Sequence, residues 1–140
     1  MRVLLDTNVV SEIRRHDANP LVVQRVQAIK PDDTYLSVIT VGELVYGVKR
    51  LAAGKKRREL EAWVMALQRT YAARILSVDL ETAHVWGEVT AICQTKGRPL
   101  PTQDGLIAAT ALRHGLHLMT RNVKDFAPTG VLLINPWDKP

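Results

Sequence analysis

Cysteine is all but missing from this chain: Cys93 stands alone among 140 residues, so no internal disulfide can form and a reducing compartment is expected. Cys93 falls in a helical pattern with no His motif paired to it, and it reads as a small core residue. Aromatic residues make up only 5% of the sequence, which argues against stacking platforms for single-stranded bases. The core must then rest on Val, Leu, Ile and Ala, a composition suited to helices packed on a buried parallel sheet. Long hydrophobic runs are lacking too. No stretch approaches the roughly 18 apolar residues of a membrane span, and Val3-Leu4-Leu5 stops at Asp6, too short for a signal-peptide core. A cytoplasmic protein with no membrane partner is expected. The four histidines (His16, His84, His114 and His117) form no zinc-ligand motif with the cysteine. No repeat, linker or low-complexity segment interrupts the chain, and 140 residues with 46% hydrophobic content match one domain over residues 1–140.

Positive charge is in excess, with a formal net charge of +5, which favours polyanionic partners. Its distribution says more. Lys49, Arg50, Lys55, Lys56, Arg57 and Arg58 fall within ten residues, away in sequence from four acidic motifs. A folded chain could present a small negative pocket beside a positive rim, with Lys55, Lys56, Arg57 and Arg58 contacting a phosphate backbone; a solvated corner between two helices explains the same run.

Periodicity supplies the frame. Arg2 to Asp6 reads as a short buried strand, followed by helical spacing of Val9, Val10 and Ile13. Pro20 opens a second helix, Thr34 to Ser37 a second strand, and an apolar stripe from Val41 to Ala52 predicts a helix ended by Gly54. Leu60, Trp63, Val64 and Leu67 line an antiparallel partner helix. Arg74 to Val78 predicts a third strand, Leu80 to Lys96 a long helix, Thr102 to His114 another closed by Gly115, and Leu116 to Thr120 and Val131 to Ile134 the last strands. Five strands separated by helices imply right-handed crossovers and a three-layer α/β/α fold around a parallel sheet.

Four acids stand where apolar runs stop or helices begin: Asp6, Glu43, Asp104 and Asp125. A parallel sheet gathers such positions at its carboxyl edge. Each has a structural reading beside the functional one. Asp6 could cap the first helix. Glu43 completes a capping box with Thr40, unless the helix starts at Ser37 and leaves Glu43 in its second turn. Asp104 interacts favourably with a helix dipole, yet it projects from the leading edge of the buried Ile107-Ala108-Ala111 face and needs a partner there. Asp125 could lie in a surface turn, with Asn122 competing for its place. Grouped carboxylates repel unless a proton or cation neutralises them; oxygen donors suit Mg²⁺ or Mn²⁺. Phosphodiester hydrolysis is the reaction that such a site predicts, with Thr7, Asn8, Thr120 and Asn122 placed to contact water or phosphate.

Over essentially its full length the chain resembles the PIN-domain nucleases of bacterial toxin-antitoxin systems, the VapC and FitB-like group. The resemblance is carried by Leu4-Leu5-Asp6-Thr7-Asn8-Val9-Val10-Ser11-Glu12, Leu36-Ser37-Val38-Ile39-Thr40-Val41-Gly42-Glu43-Leu44, Asp104-Gly105-Leu106-Ile107-Ala108-Ala109-Thr110-Ala111, Thr120-Arg121-Asn122-Val123-Lys124-Asp125-Phe126 and the closing Asn135-Pro136-Trp137. It implies a Mg²⁺- or Mn²⁺-dependent endoribonuclease with Asp6, Glu43 and Asp104 as its principal acids and Asp6 and Asp104 on the metal. Asp125 or Asn122 would complete the site, which leaves one or two ions open. It further implies structured RNA as substrate, transfer RNA by family analogy, a cognate VapB- or FitA-like antitoxin, a homodimer, and operator DNA reached only through the antitoxin. A non-catalytic DNA-binding regulator working with that antitoxin is the competing expectation. A phosphoacceptor domain is disfavoured by the absence of an adjacent acid pair near the first strand. An Asp-x-Asp phosphatase is disfavoured by Asn8.

Overall fold

The computed structural model describes residues 1–139. Among these, five parallel strands, β1 (Val3–Leu5), β2 (Thr34–Ser37), β3 (Ile75–Leu76), β4 (His117–Met119) and β5 (Leu133–Ile134), form one sheet in the order β3-β2-β1-β4-β5. β1 is central, with Val3 opposite Thr34 on one side and His117 on the other. The order reverses between β1 and β4, the place where parallel α/β sheets open a crevice for ligands.

The helices are α1 (Thr7–Arg14), α2 (Pro20–Gln27), α3 (Val38–Lys49), α4 (Lys55–Thr70), α5 (Leu80–Thr95), α6 (Thr102–His114) and the short α7 (Val123–Phe126). Successive strand side chains point to opposite faces, so Val3 and Leu5 join Val9, Val22, Leu36, Leu44 and Val64 in a core layer beneath α1 to α4. Leu4 faces the other way, into Ile107, Ala108, Ala111, Leu118 and Phe126. Leu4, Leu5, Leu36, Ile107 and Leu118 are completely buried, each stabilising the fold by roughly 1.5–3 kcal/mol relative to exposure. The expected α/β/α layering is therefore present. Cys93 lies buried in α5, as a core residue should.

Gly115 closes α6. At φ 66° it takes the left-handed conformation, and the next amide, Leu116, donates to Ala111 at 2.9 Å before the chain enters β4. The α3–α4 corner departs from expectation, because α3 stops at Lys49 and Gly54 precedes α4 instead of ending α3. Arg57 explains the early stop in part: its guanidinium reaches back to the Leu51 carbonyl at 3.4 Å, satisfying the corner with a side chain. Among the described residues no helix is long and apolar enough to cross a membrane.

Candidate active site

Asp6 begins the site because β1 ends there. Its carbonyl accepts from Val9 and Val10, so Asp6 is the N-cap of α1, and its Oδ1 accepts from the Thr7 amide at 2.8 Å. The same carboxylate reaches across the switch point, where Oδ2 accepts from the Thr120 hydroxyl at 2.8 Å. Capping and site membership, which the sequence sets against each other, coexist. Thr120 is fully buried just beyond β4, and its oxygen also accepts from the Asn122 amide at 3.0 Å and, more weakly, from Asn8 Nδ2 at 3.4 Å. One donor and two lone pairs are thus all used. Burial, the largest influence, pushes the Asp6 pKa up; the Thr120 and Thr7 bonds oppose it and Glu43 adds to it.

Glu43 arrives from β2 through α3. Ser37 caps that helix by accepting from the Ile39 amide at 3.0 Å, so the Thr40 capping box does not form and Glu43 lies in the second turn. The Thr7 hydroxyl donates to Glu43 Oε1 at 2.7 Å. It has one proton, so its 3.0 Å contact with Thr40 Oγ1 has Thr40 as donor. Thr40 is a site residue that sequence reasoning assigned only to capping. Thr7 and Glu43 together line two clefts, one of about 200 Å³ toward Arg14 and Trp63, the other of about 620 Å³ toward Tyr46 and Gln103.

Asp104 enters from the opposite layer, in the first turn of α6. Its pKa is pushed up to about 6, first by burial and then by the negative charges of Asp6, Glu43 and Asp125. Asp104 therefore feels the charge of all three other acids, and no cation offsets its rise. Gly105 permits this placement. A Cβ there would meet the Trp86 indole of α5 at 3.0 and 3.2 Å, so α6 sits close against α5 and holds Asp104 at the crevice. Asp125 lies exposed on α7, a short helix where the sequence left a surface turn and a site position both open, and shares a cleft of about 210 Å³ with Asp104 and Arg98. Asn122 contributes its amide, directed at Thr120. The N-termini of α1, α3 and α6 all open at this edge, and their positive dipole ends favour the anionic cluster.

The basic corner stands apart, at the tip of the α3–α4 hairpin. Arg57 is held at 3.0 Å by Glu61, and Lys55 lies 3.8 Å from Glu59. Lys56 and Arg58 make no ion pair among the described residues.

A family model described as PIN domain matches residues 3–130. The chain belongs to the PIN-domain family. The toxin FitB of Neisseria gonorrhoeae is 39% identical over 136 residues, spanning 96% of this chain and 98% of FitB. A VapC ribonuclease, Y4jK, of Sinorhizobium fredii is 36% identical over 140 residues, covering 97% of this chain and 98% of its own. More distant is a tRNA(fMet)-specific endonuclease VapC of Shigella flexneri, 25% identical over 139 residues with 98% of each chain covered. In three dimensions this PIN domain is similar to FitAB bound to the IR36 DNA fragment, with a TM-score of 0.93, 36% identity, and 99% of this chain and 97% of that one covered.

The donors fit a hard divalent cation. No three His, Cys, Asp or Glu side chains among the described residues already form a cage, but Mg²⁺ needs only one or two carboxylates, with water and phosphate completing its shell. The PIN cluster offers oxygen donors only, and the part of the Asp104 rise that comes after burial, the negative charge of Asp6, Glu43 and Asp125, is what a bound cation relieves.

Proposed function

We propose that this PIN domain is a Mg²⁺- or Mn²⁺-dependent endoribonuclease, the toxin of a VapBC-type pair, hydrolysing phosphodiester bonds in structured RNA and so arresting translation and growth. The observation that carries the proposal is Asp6, pinned by Thr7 and Thr120 at the β1–β4 switch point, with Glu43 and Asp104 coupled to it. Asp6 and Asp104 would hold the ion, which when bound supplies Lewis acidity toward phosphate and lowers the pKa of water. Thr120 keeps Asp6 from rotating. Thr7 holds one oxygen of Glu43, leaving the other to accept a proton from the attacking water. Asp125 completes the acidic ring at its open side, and Thr7, Asn8 or Asn122 would contact water or phosphate. Transfer RNA is the substrate class we favour, supported by the name of the Shigella relative.

The partners follow from the relatives. FitAB is a complex solved on DNA, and we infer a cognate VapB- or FitA-like antitoxin, a toxin homodimer within a larger assembly, and operator DNA reached through the antitoxin. That likeness also favours a second reading, a regulator that acts only in complex and cleaves nothing. Controlled expression in a bacterial host separates the two. A nuclease arrests growth, leaves RNA fragments with common ends that map to one class of RNA, and is neutralised by the antitoxin encoded beside it; unbroken RNA and unimpaired growth would support the regulator.

A further inference from the structure

Two arginines flank the acid cluster with their guanidinium groups laid on tryptophans. Arg14, in the last turn of α1, lies 5.7 Å from the Trp63 ring centre, and both line the cleft that holds Thr7, Ser11 and Glu43. Arg121 follows Thr120 directly, its amide 3.4 Å from Asn8 Oδ1 and its guanidinium 5.1 Å from the Trp137 ring centre. Neither forms an ion pair among the described residues. Both are exposed. Since β1 lies between β2 and β4, Arg14 on the α3 side and Arg121 on the β4 side stand either side of Asp6.

The stacking is built in. Trp137 packs against the apolar layer beneath α1 to α4, its amide donates to Asn135 Oδ1 at 2.9 Å, and the Asn135 carbonyl accepts from Arg25 of α2 at 2.9 Å. The closing Asn-Pro-Trp turn is therefore a fastened shelf beneath Arg121. Trp63 packs against the same layer from α4. A guanidinium resting on an indole face is held in place by cation–π attraction while its in-plane N–H donors stay free. That edge suits a phosphate, which arginine binds bidentately. The Lys55 to Arg58 corner is a weaker source of charge for this site, because two of its four cations are engaged with Glu59 and Glu61.

We propose that Arg14 and Arg121 are the phosphate grips of this PIN domain, holding the RNA backbone on either side of the acid cluster, with Trp63 and Trp137 as their positioning residues. The proposal rests on the nuclease reading above. Its test measures binding apart from cleavage: fluorescence anisotropy with labelled bulk bacterial transfer RNA, in an Asp6→Asn background that keeps the RNA intact, over a range of salt. Arg14→Gln and Arg121→Gln should each weaken binding about tenfold at moderate salt and lower the logarithmic salt slope by about one. Arg121→Lys should not restore it. Trp137→Phe keeps a stacking face and should retain affinity, whereas Trp137→Leu should lose about as much as Arg121→Gln; melting curves on each variant separate these effects from misfolding. With Asp6 intact, the arginine variants should raise KM and leave kcat within about twofold.

Wild-type affinity and slope in both glutamine variants would overturn the proposal, as would loss confined to Lys56→Gln and Arg58→Gln. Retained RNA binding with lost capture of the cognate antitoxin would overturn it too, assigning the arginines to that partner. If the wild-type domain cleaved no RNA with either metal, the nuclease reading would fall, and the salt slopes would still decide whether these arginines grip phosphate.

Discussion

Asp6 carries two structural bonds and, in the proposed reaction, the metal, so the hydroxyl of Thr120 is the residue whose removal should separate structure from chemistry. Thr120→Val keeps the volume but leaves the buried Asp6 Oδ2 without its donor, a loss expected to cost about 1–3 kcal/mol of stability and to let the carboxylate rotate. We expect kcat to fall by about 10²-fold, in the range over which loss of a positioned catalytic group acts, with KM little changed; thermal melts and single-turnover cleavage together check both parts. Asp104 makes a prediction in pH. Its folded pKa of about 6 lies above the ordinary 3.8, so the folded state holds its proton more tightly than the unfolded state does. Stability from this group is therefore full below about pH 4, falls as pH rises toward 6, and is flat above. The full shift corresponds to about 3 kcal/mol, and solvent screening of this half-exposed carboxylate reduces it to roughly 1 kcal/mol. Melting curves of metal-free protein at pH 4.5 and 7.5 should show that difference narrowed in Asp104→Asn. A flat profile would mean that neither burial nor the neighbouring acids raise Asp104 as its position implies.

At the scale of elements, most of the frame was legible in the sequence, and the misses have physical causes. Strand β1, helices α1, α2 and α6, and the cap at Gly115 followed from apolar periodicity and from Pro and Gly, which act locally. β2 kept its expected bounds, whereas β3, β4 and β5 came out shorter than their apolar runs, β3 as Ile75–Leu76 instead of Arg74 to Val78, because pairing depends on a neighbour that periodicity does not reveal. The start of α3 was undecided between Ser37 and Thr40; Ser37 prevails, and Glu43 is freed from capping to meet Thr7. Ser37→Ala should accordingly cost about 1 kcal/mol. α7 was missed since four residues carry no period. Thr40 and the two tryptophan-backed arginines were out of reach for a further reason: each acts through a contact across at least 16 residues of sequence. Gly105 read only as part of a motif, yet its lack of a side chain sets the approach of α6 to α5. Gly105→Ala should destabilise by roughly 1–3 kcal/mol through overpacking on Trp86 and displace Asp104. Denaturant unfolding and cleavage rate would both register it.

For the whole molecule, the arrangement is a sheet whose reversal point concentrates negative charge while the chain as a whole carries +5. In the proposed reaction the positive excess would draw RNA in, and the acid cluster would need a cation before it received a phosphate. Divalent metal should therefore raise the melting temperature at pH 7.5, through binding to the native state alone, and much less at pH 4.5, where Asp104 keeps its proton. Family membership, a sheet order that places Asp6 beside Thr120, and three helix N-termini opening at one edge all bear on one claim, that this edge cuts RNA with a metal. The most direct test is cleavage of total bacterial RNA by purified, antitoxin-free protein with Mg²⁺ or Mn²⁺, with chelator, and beside Asp6→Asn. Discrete fragments that require metal and disappear in the Asp6→Asn protein are the predicted result. Intact RNA from a folded wild-type protein that binds metal, or fragments that persist with chelator or in Asp6→Asn, would contradict the account.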